Sequence, residues 1–83
     1  MRANRAYRVI VTRAGVAPSL LADPDRVDLV EVVGVASGEV ELFWDCTPAG
    51  ARRLARRLKT DLAQLEAVEF MTRWSQRADV GQI

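Results

Sequence analysis

Residues 26–46 read RVDLVEVVGVASGEVELFWDC, two valine-rich runs on either side of one Ser-Gly pair. β-branched residues alternating with polar ones suit a pleated, half-buried surface, and a Ser-Gly pair between two such runs reads as a hairpin loop. With Ser37 and Gly38 as a two-residue loop, Val35 lies opposite Val40 and Val33 opposite Leu42. In that register Val27, Leu29, Glu31, Val33 and Val35 share a face with Val40, Leu42 and Trp44. Asp28, Val30, Val32 and Gly34 share the other face. A chain of 83 residues can build one domain, so every other segment must pack against this hairpin.

The flanking segments extend the pattern. AYRVIVTR, residues 6–13, alternates Tyr7, Val9 and Val11 with Arg8, Ile10 and Thr12, which predicts a first strand. Residues 13–25, RAGVAPSLLADPD, form a connection in which PSLLA has room for one helical turn before Pro24 stops it. After the hairpin, Thr47 is suited to cap a helix and Pro48 to begin it. Leu54, Leu58, Leu62 and Leu65 recur at helical spacing beside Ala51 and Ala55, giving one apolar stripe. The sequence DLAQ at 61–64 resembles a capping box, so the helix is expected to kink or restart there.

The segment 66–75 is ambiguous. In one uninterrupted helix Phe70 and Trp74 would point away from Leu54 and Leu58, at about 100° per residue. As a strand, AVEFMTRW places Val68, Phe70, Thr72 and Trp74 on one face, and this is the preferred reading. Both Trp44 and Trp74 then face the helix. The element order strand, short turn, strand, strand, helix, strand resembles the ferredoxin-like plan with a stunted first helix, an α+β architecture. The alternative is a three-stranded meander with one long C-terminal helix, favoured by the helix formers Glu66, Ala67, Glu69 and Met71. The ordered core is expected over about residues 6–75, with 1–5 and 76–83 frayed.

Composition narrows the chemistry. Histidine is absent and cysteine occurs once, which removes the commonest general base, the usual zinc ligand sets and any internal disulfide. No motif calls for a cofactor or a metal. The first residues lack the apolar core of a leader, and Val27–Ala36 is too short and too charged to span a bilayer. A cytoplasmic chain that does not enter the membrane is expected.

Four features invite a functional reading. Cys46 precedes a helix N-terminus and cationic residues, a setting that activates thiols, yet the chain offers it neither base nor resolving thiol. A small buried hydrophobe is the better account. Asp45 with Glu41 or Glu39 could be a carboxylate pair, but a solvated strand face explains them. Glu31 interrupts the core-facing row of the second strand and is placed at the sheet rim.

The fourth feature is the basic run Arg52, Arg53, Arg56, Arg57 and Lys59, which could meet an anionic partner. Against this stand a net charge of only +1 and the lack of a glycine-rich phosphate loop or a stacking platform. Nucleic-acid or other polyanion binding through 52–59 is therefore the alternative reading.

The leading one starts from Ile10, Val30, Val32 and Phe43. All four fall on the sheet face turned from the helix, where an apolar patch implies a partner unless Val16, Leu20 and Leu21 fold over it. The expected protein is a non-catalytic interaction module, binding a partner protein or forming a homo-oligomer through that face. An enzyme subunit whose pocket forms only in a dimer is the weaker alternative.

Overall fold

The computed structural model describes residues 1–13 and 27–80. The elements are α1 (Ala3–Ala6), β1 (Tyr7–Arg13), β2 (Asp28–Gly34), β3 (Val40–Cys46), α2 (Pro48–Gln64) and α3 (Ala67–Val80). The three strands form one antiparallel sheet in the order β1-β2-β3, and α2 and α3 pack on one face of it. This is the α+β class expected. The connection expected at 14–25, with its helical turn and its apolar residues, lies outside the described residues.

The hairpin departs from its expected register in two steps, and only the second matters for the core. The loop has four residues, not two. Gly34 N–H donates to the Glu39 carbonyl at 2.9 Å, and Gly38 N–H donates to the Gly34 carbonyl at 2.8 Å. Gly38 supplies the positive φ, 73°, that closes it. At Gly34 a Cβ would lie 2.6 Å from the Ser37 Oγ, so the loop folds back over this position and a side chain there would require the Ser37 hydroxyl to turn away. This loop places Val33 opposite Val40 and leaves the faces as expected.

A β-bulge follows. Val33 pairs with Val40 but Val32 pairs with Leu42, so Glu41 is an extra residue in β3. One extra residue exchanges the faces of the facing strand. Val30 and Val32 therefore turn toward the helices, opposite Trp44 and Leu42, and both are 0% exposed. Leu29, Glu31 and Val33 turn outward. The energetic reason is Glu31. In the expected register its carboxylate would sit at the centre of the core face, where an unpaired charge costs several kcal/mol. The bulged register leaves Asp28, at the strand's end, as the buried carboxylate instead.

Helix α2 starts as its sequence dictates. The Thr47 Oγ1 accepts from Gly50 N–H at 3.1 Å and Pro48 opens the first turn. Ala51, Leu54, Ala55, Leu58 and Leu62 are buried against the sheet. The helix ends at Gln64, the last residue of DLAQ. Leu65 takes an extended conformation, φ −99° and ψ 158°, and α3 begins at Ala67.

Residues 67–75, preferred as a strand, are thus helical, and the chain follows the meander plan with its C-terminal helix divided in two. The two-residue break redirects the helix so that Phe70 and Trp74, four residues apart, both face the core at 0% and 1% exposure. The steric objection to a continuous helix was sound, and the chain meets it with an elbow.

The elbow is bridged by the N-terminal residues 1–3, part of the segment expected to fray. Ala3 N–H donates to the Leu65 carbonyl and Ala67 N–H to the Met1 carbonyl, each at 2.9 Å. The Arg2 guanidinium donates to the Gln64 carbonyl at 2.9 Å, satisfying an orphan acceptor at the end of α2. The Met1 amino group lies 3.0 Å from the Glu66 carboxylate, and its hydrogen bond and charge hold that carboxyl below its ordinary range. Ala3 itself is fully buried.

Aromatic rings join the layers. Tyr7 stacks on Phe70 at 5.8 Å, Phe70 lies 6.4 Å from Trp74, and Trp74 meets Trp44 edge-on at 5.8 Å. The Trp74 indole N–H donates to the Asp61 carboxylate at 2.9 Å, tying α3 to α2. Asp61 therefore serves as a partly buried acceptor within α2 and not as a cap.

Two predictions follow from these positions. Val32→Lys forces a charge into the core and is expected to abolish cooperative folding, whereas Phe43→Lys on the opposite face changes stability by about 0.5 kcal/mol or less. Urea titration followed by circular dichroism measures both, and equal sensitivity at the two sites contradicts the bulged register. Trp74→Phe keeps the ring packing but removes the indole donor from Asp61, which is partly exposed and keeps Arg73 nearby, and is expected to cost about 1 kcal/mol in the same assay, with no loss if the hydrogen bond is unimportant.

Candidate partner interface

The expected patch of Ile10, Val30, Val32 and Phe43 is divided between two faces. Val30 and Val32 are core, because the bulge at Glu41 turns them inward. Ile10 and Phe43 remain outside, flanking Glu31 in one row across the sheet: Ile10 pairs with Glu31 and Glu31 with Phe43. The row above holds Arg8, Val33 and Val40, and the row below Thr12, Leu29 and Asp45. Five of these nine positions are apolar. Phe43 is 61% exposed, Val40 48% and Ile10 40%, while Leu29 and Val33 are half-buried. The outer face is thus a checkerboard of apolar and charged residues, with Glu31 at its centre and not at the rim. No helix among the described residues packs on it.

Leu29, Val33 and Val40 were missed as outer residues because alternation read from the sequence carries no knowledge of the bulge. The available signal was Glu31 itself, whose place in an otherwise apolar row argued for the opposite assignment of that strand.

Charge is segregated between the two sides. Among the described residues the outer sheet face carries Glu31 and Asp45 against the cation Arg8, while Glu41, in the bulge, lines a cleft with Met1, Arg5 and Tyr7 at the edge of the helix side. On the helix side Arg52, Arg53, Arg56, Arg57 and Lys59 are all exposed, and among the described residues none of these five is paired with a carboxylate. Helix α3 extends the basic surface with Arg73, 3.7 Å from Asp61, and Arg77, whose guanidinium lies 4.8 Å from the centre of the Trp74 ring. A net charge of +1 concealed this polarity, since a sum over the chain carries no geometry.

Two open clefts indent the basic side. One, of about 500 Å³, lies between β1 and α2: Val11, Ala51 and Ala55 contribute apolar wall, and Arg13, Arg52, Arg56 and Lys59 surround them, with Asp28 also lining it. The other, of about 540 Å³, runs between α2 and α3 and is lined by Arg56, Arg57, Arg73 and Arg77 with Thr60 and Gln76.

Cys46 ends β3 beside Asp28 and is 2% exposed. Burial pushes its thiol pKa up, and the charges of Asp45 and Asp28 push it further. The helix N-terminus that follows does not overcome these effects, and the thiol is held in its unreactive form. Asp45, Glu39 and Glu41 are exposed, and neither cleft of the basic side is lined by any of them. Among the described residues no group of three or more Cys, Asp and Glu side chains is placed to hold a metal ion, and no helix is long and apolar enough to cross a membrane. Comparison of the chain with protein-family models, with curated proteins and with solved structures gives no match.

Alkylation of Cys46 is expected to track global unfolding: native protein resists a thiol reagent at neutral pH, and added urea brings the rate to that of a free thiol. Fast labelling of the native protein contradicts the burial and the raised pKa.

Proposed function

We propose that this chain is a small cytoplasmic assembly module without catalysis of its own, which self-associates through the outer face of its sheet. One observation carries the reading: Phe43, an aromatic ring 61% exposed, stands at the centre of β3 among Ile10, Val33 and Val40 on a face that no described element covers. Aromatic side chains left in water on a flat sheet are anchors for a partner surface, because burying one gains roughly 1.5–3 kcal/mol. The protonated, buried state of Cys46 and the lack of histidine support a role in binding and not in chemistry.

Phe43→Lys tests this. Light scattering behind a sizing column is expected to show wild-type mass rising between roughly 10 µM and 1 mM, the range of weak interfaces. The variant is expected to stay monomeric with unchanged melting. A wild type that is monomeric throughout overturns the reading.

A second reading, polyanion binding through Arg52, Arg53, Arg56, Arg57 and Lys59, draws support from Arg73 and Arg77, which widen the basic surface beyond α2. It requires that a short nucleic-acid duplex bind with an affinity falling steeply with salt and lost in Arg52→Glu, Arg56→Glu.

A further inference from the structure

Symmetric pairing of two outer sheet faces is electrostatically poor. Glu31 and Asp45 of one copy would meet the same two carboxylates of the other, with Arg8 as the one compensating cation among the described residues on each side. Like charges brought together in an interface oppose association. The surface that does complement this face is on the same molecule, on the far side of the sheet. The cleft between β1 and α2 offers apolar wall at Val11, Ala51 and Ala55 inside a rim of Arg13, Arg52, Arg56 and Lys59. Phe43 presents the reverse pattern, an apolar ring with Glu31 directly opposite it and Asp45 two residues along its own strand.

We infer that self-association is head-to-tail: Phe43 of one copy enters the cleft between β1 and α2 of the next, and Glu31 and Asp45 meet the Arg52 and Arg56 rim. This rests on the sheet face being the association surface and adds the identity of what it docks on. The cleft, about 500 Å³, has the size of pockets that hold drug-sized ligands and is ample for a phenyl ring. Because the two surfaces lie on opposite layers of one molecule, the contact is heterologous. Each copy that docks leaves one surface free, so assembly continues into rings or open chains. Three seven-residue strands span a face of about 14 by 23 Å, well below a standard interface. The association is accordingly weak and concentration-dependent, and it weakens as added salt shortens the screening length.

The test uses two variants that each disable one surface, Phe43→Ala on the sheet and Arg52→Glu, Arg56→Glu on the helix. All three positions are exposed, so both proteins keep the wild-type fold and melting temperature. Sedimentation equilibrium of each variant alone is expected to show a monomer at concentrations where the wild type assembles. Their equimolar mixture is expected to form a 1:1 dimer and nothing larger, through the one intact pair of surfaces. If the arginine variant assembles like wild type while Phe43→Ala does not, the sheet face pairs with itself. The head-to-tail contact is then wrong although the association surface is right. If the arginine variant loses only duplex binding, the basic side serves a polyanion and the proposal likewise fails. A wild type that never assembles overturns both.

Discussion

The Trp74 indole is the contact on which the layers of this fold converge. Its edge meets Trp44 on the sheet, its N–H donates to Asp61 on α2, and its own helix carries Phe70, which reaches Tyr7 on β1. A domain this small has little apolar area to spare, and large rings are the economical way to join three elements at one point. The polar end of the indole also requires an acceptor. Asp61 supplies it one turn before the helix break, so the hydrogen bond and the elbow are parts of one arrangement. Met1, Arg2 and Ala3 complete it by satisfying the backbone groups that the break exposes.

The sheet divides what the core needs from what a partner could use. The bulge at Glu41 takes Val30 and Val32 into the core and leaves Glu31 in water between Ile10 and Phe43. A single added residue thereby does two things at once. It removes a central charge from the interior, and it composes an outer face in which carboxylates surround an exposed ring. On the helix side the leucine and alanine stripe turns every arginine of α2 outward. The molecule is nearly neutral as a whole and strongly polarised in space, a property that bears on orientation and encounter more than on stability.

Much of this was legible in the sequence for local physical reasons. Alternation located the three strands, Thr47 and Pro48 located the start of α2, and the spacing of Leu54, Leu58 and Leu62 gave its buried face. The outer apolar patch was expected, but two of its four residues were wrong. Strand periodicity assigns faces only relative to a register, and an unseen bulge reverses one strand against its neighbour.

What the sequence determined by itself is whatever depends on residues within a turn or a strand of one another: the elements, the cap, the helix stripe, the supply of reactive groups. The tertiary structure decided which side of β2 is inside, because that depends on where Glu31 can be solvated. It also decided that 67–80 is a helix, because Phe70 and Trp74 can reach the core from a helix only after the break at Leu65, and that break is stabilised by Met1, Arg2 and Ala3 from the other end of the chain. The convergence of Arg13, Arg52, Arg56 and Lys59 on one cleft was likewise beyond the sequence. It brings together a strand end and a helix roughly 40 positions apart, and no local pattern encodes that distance.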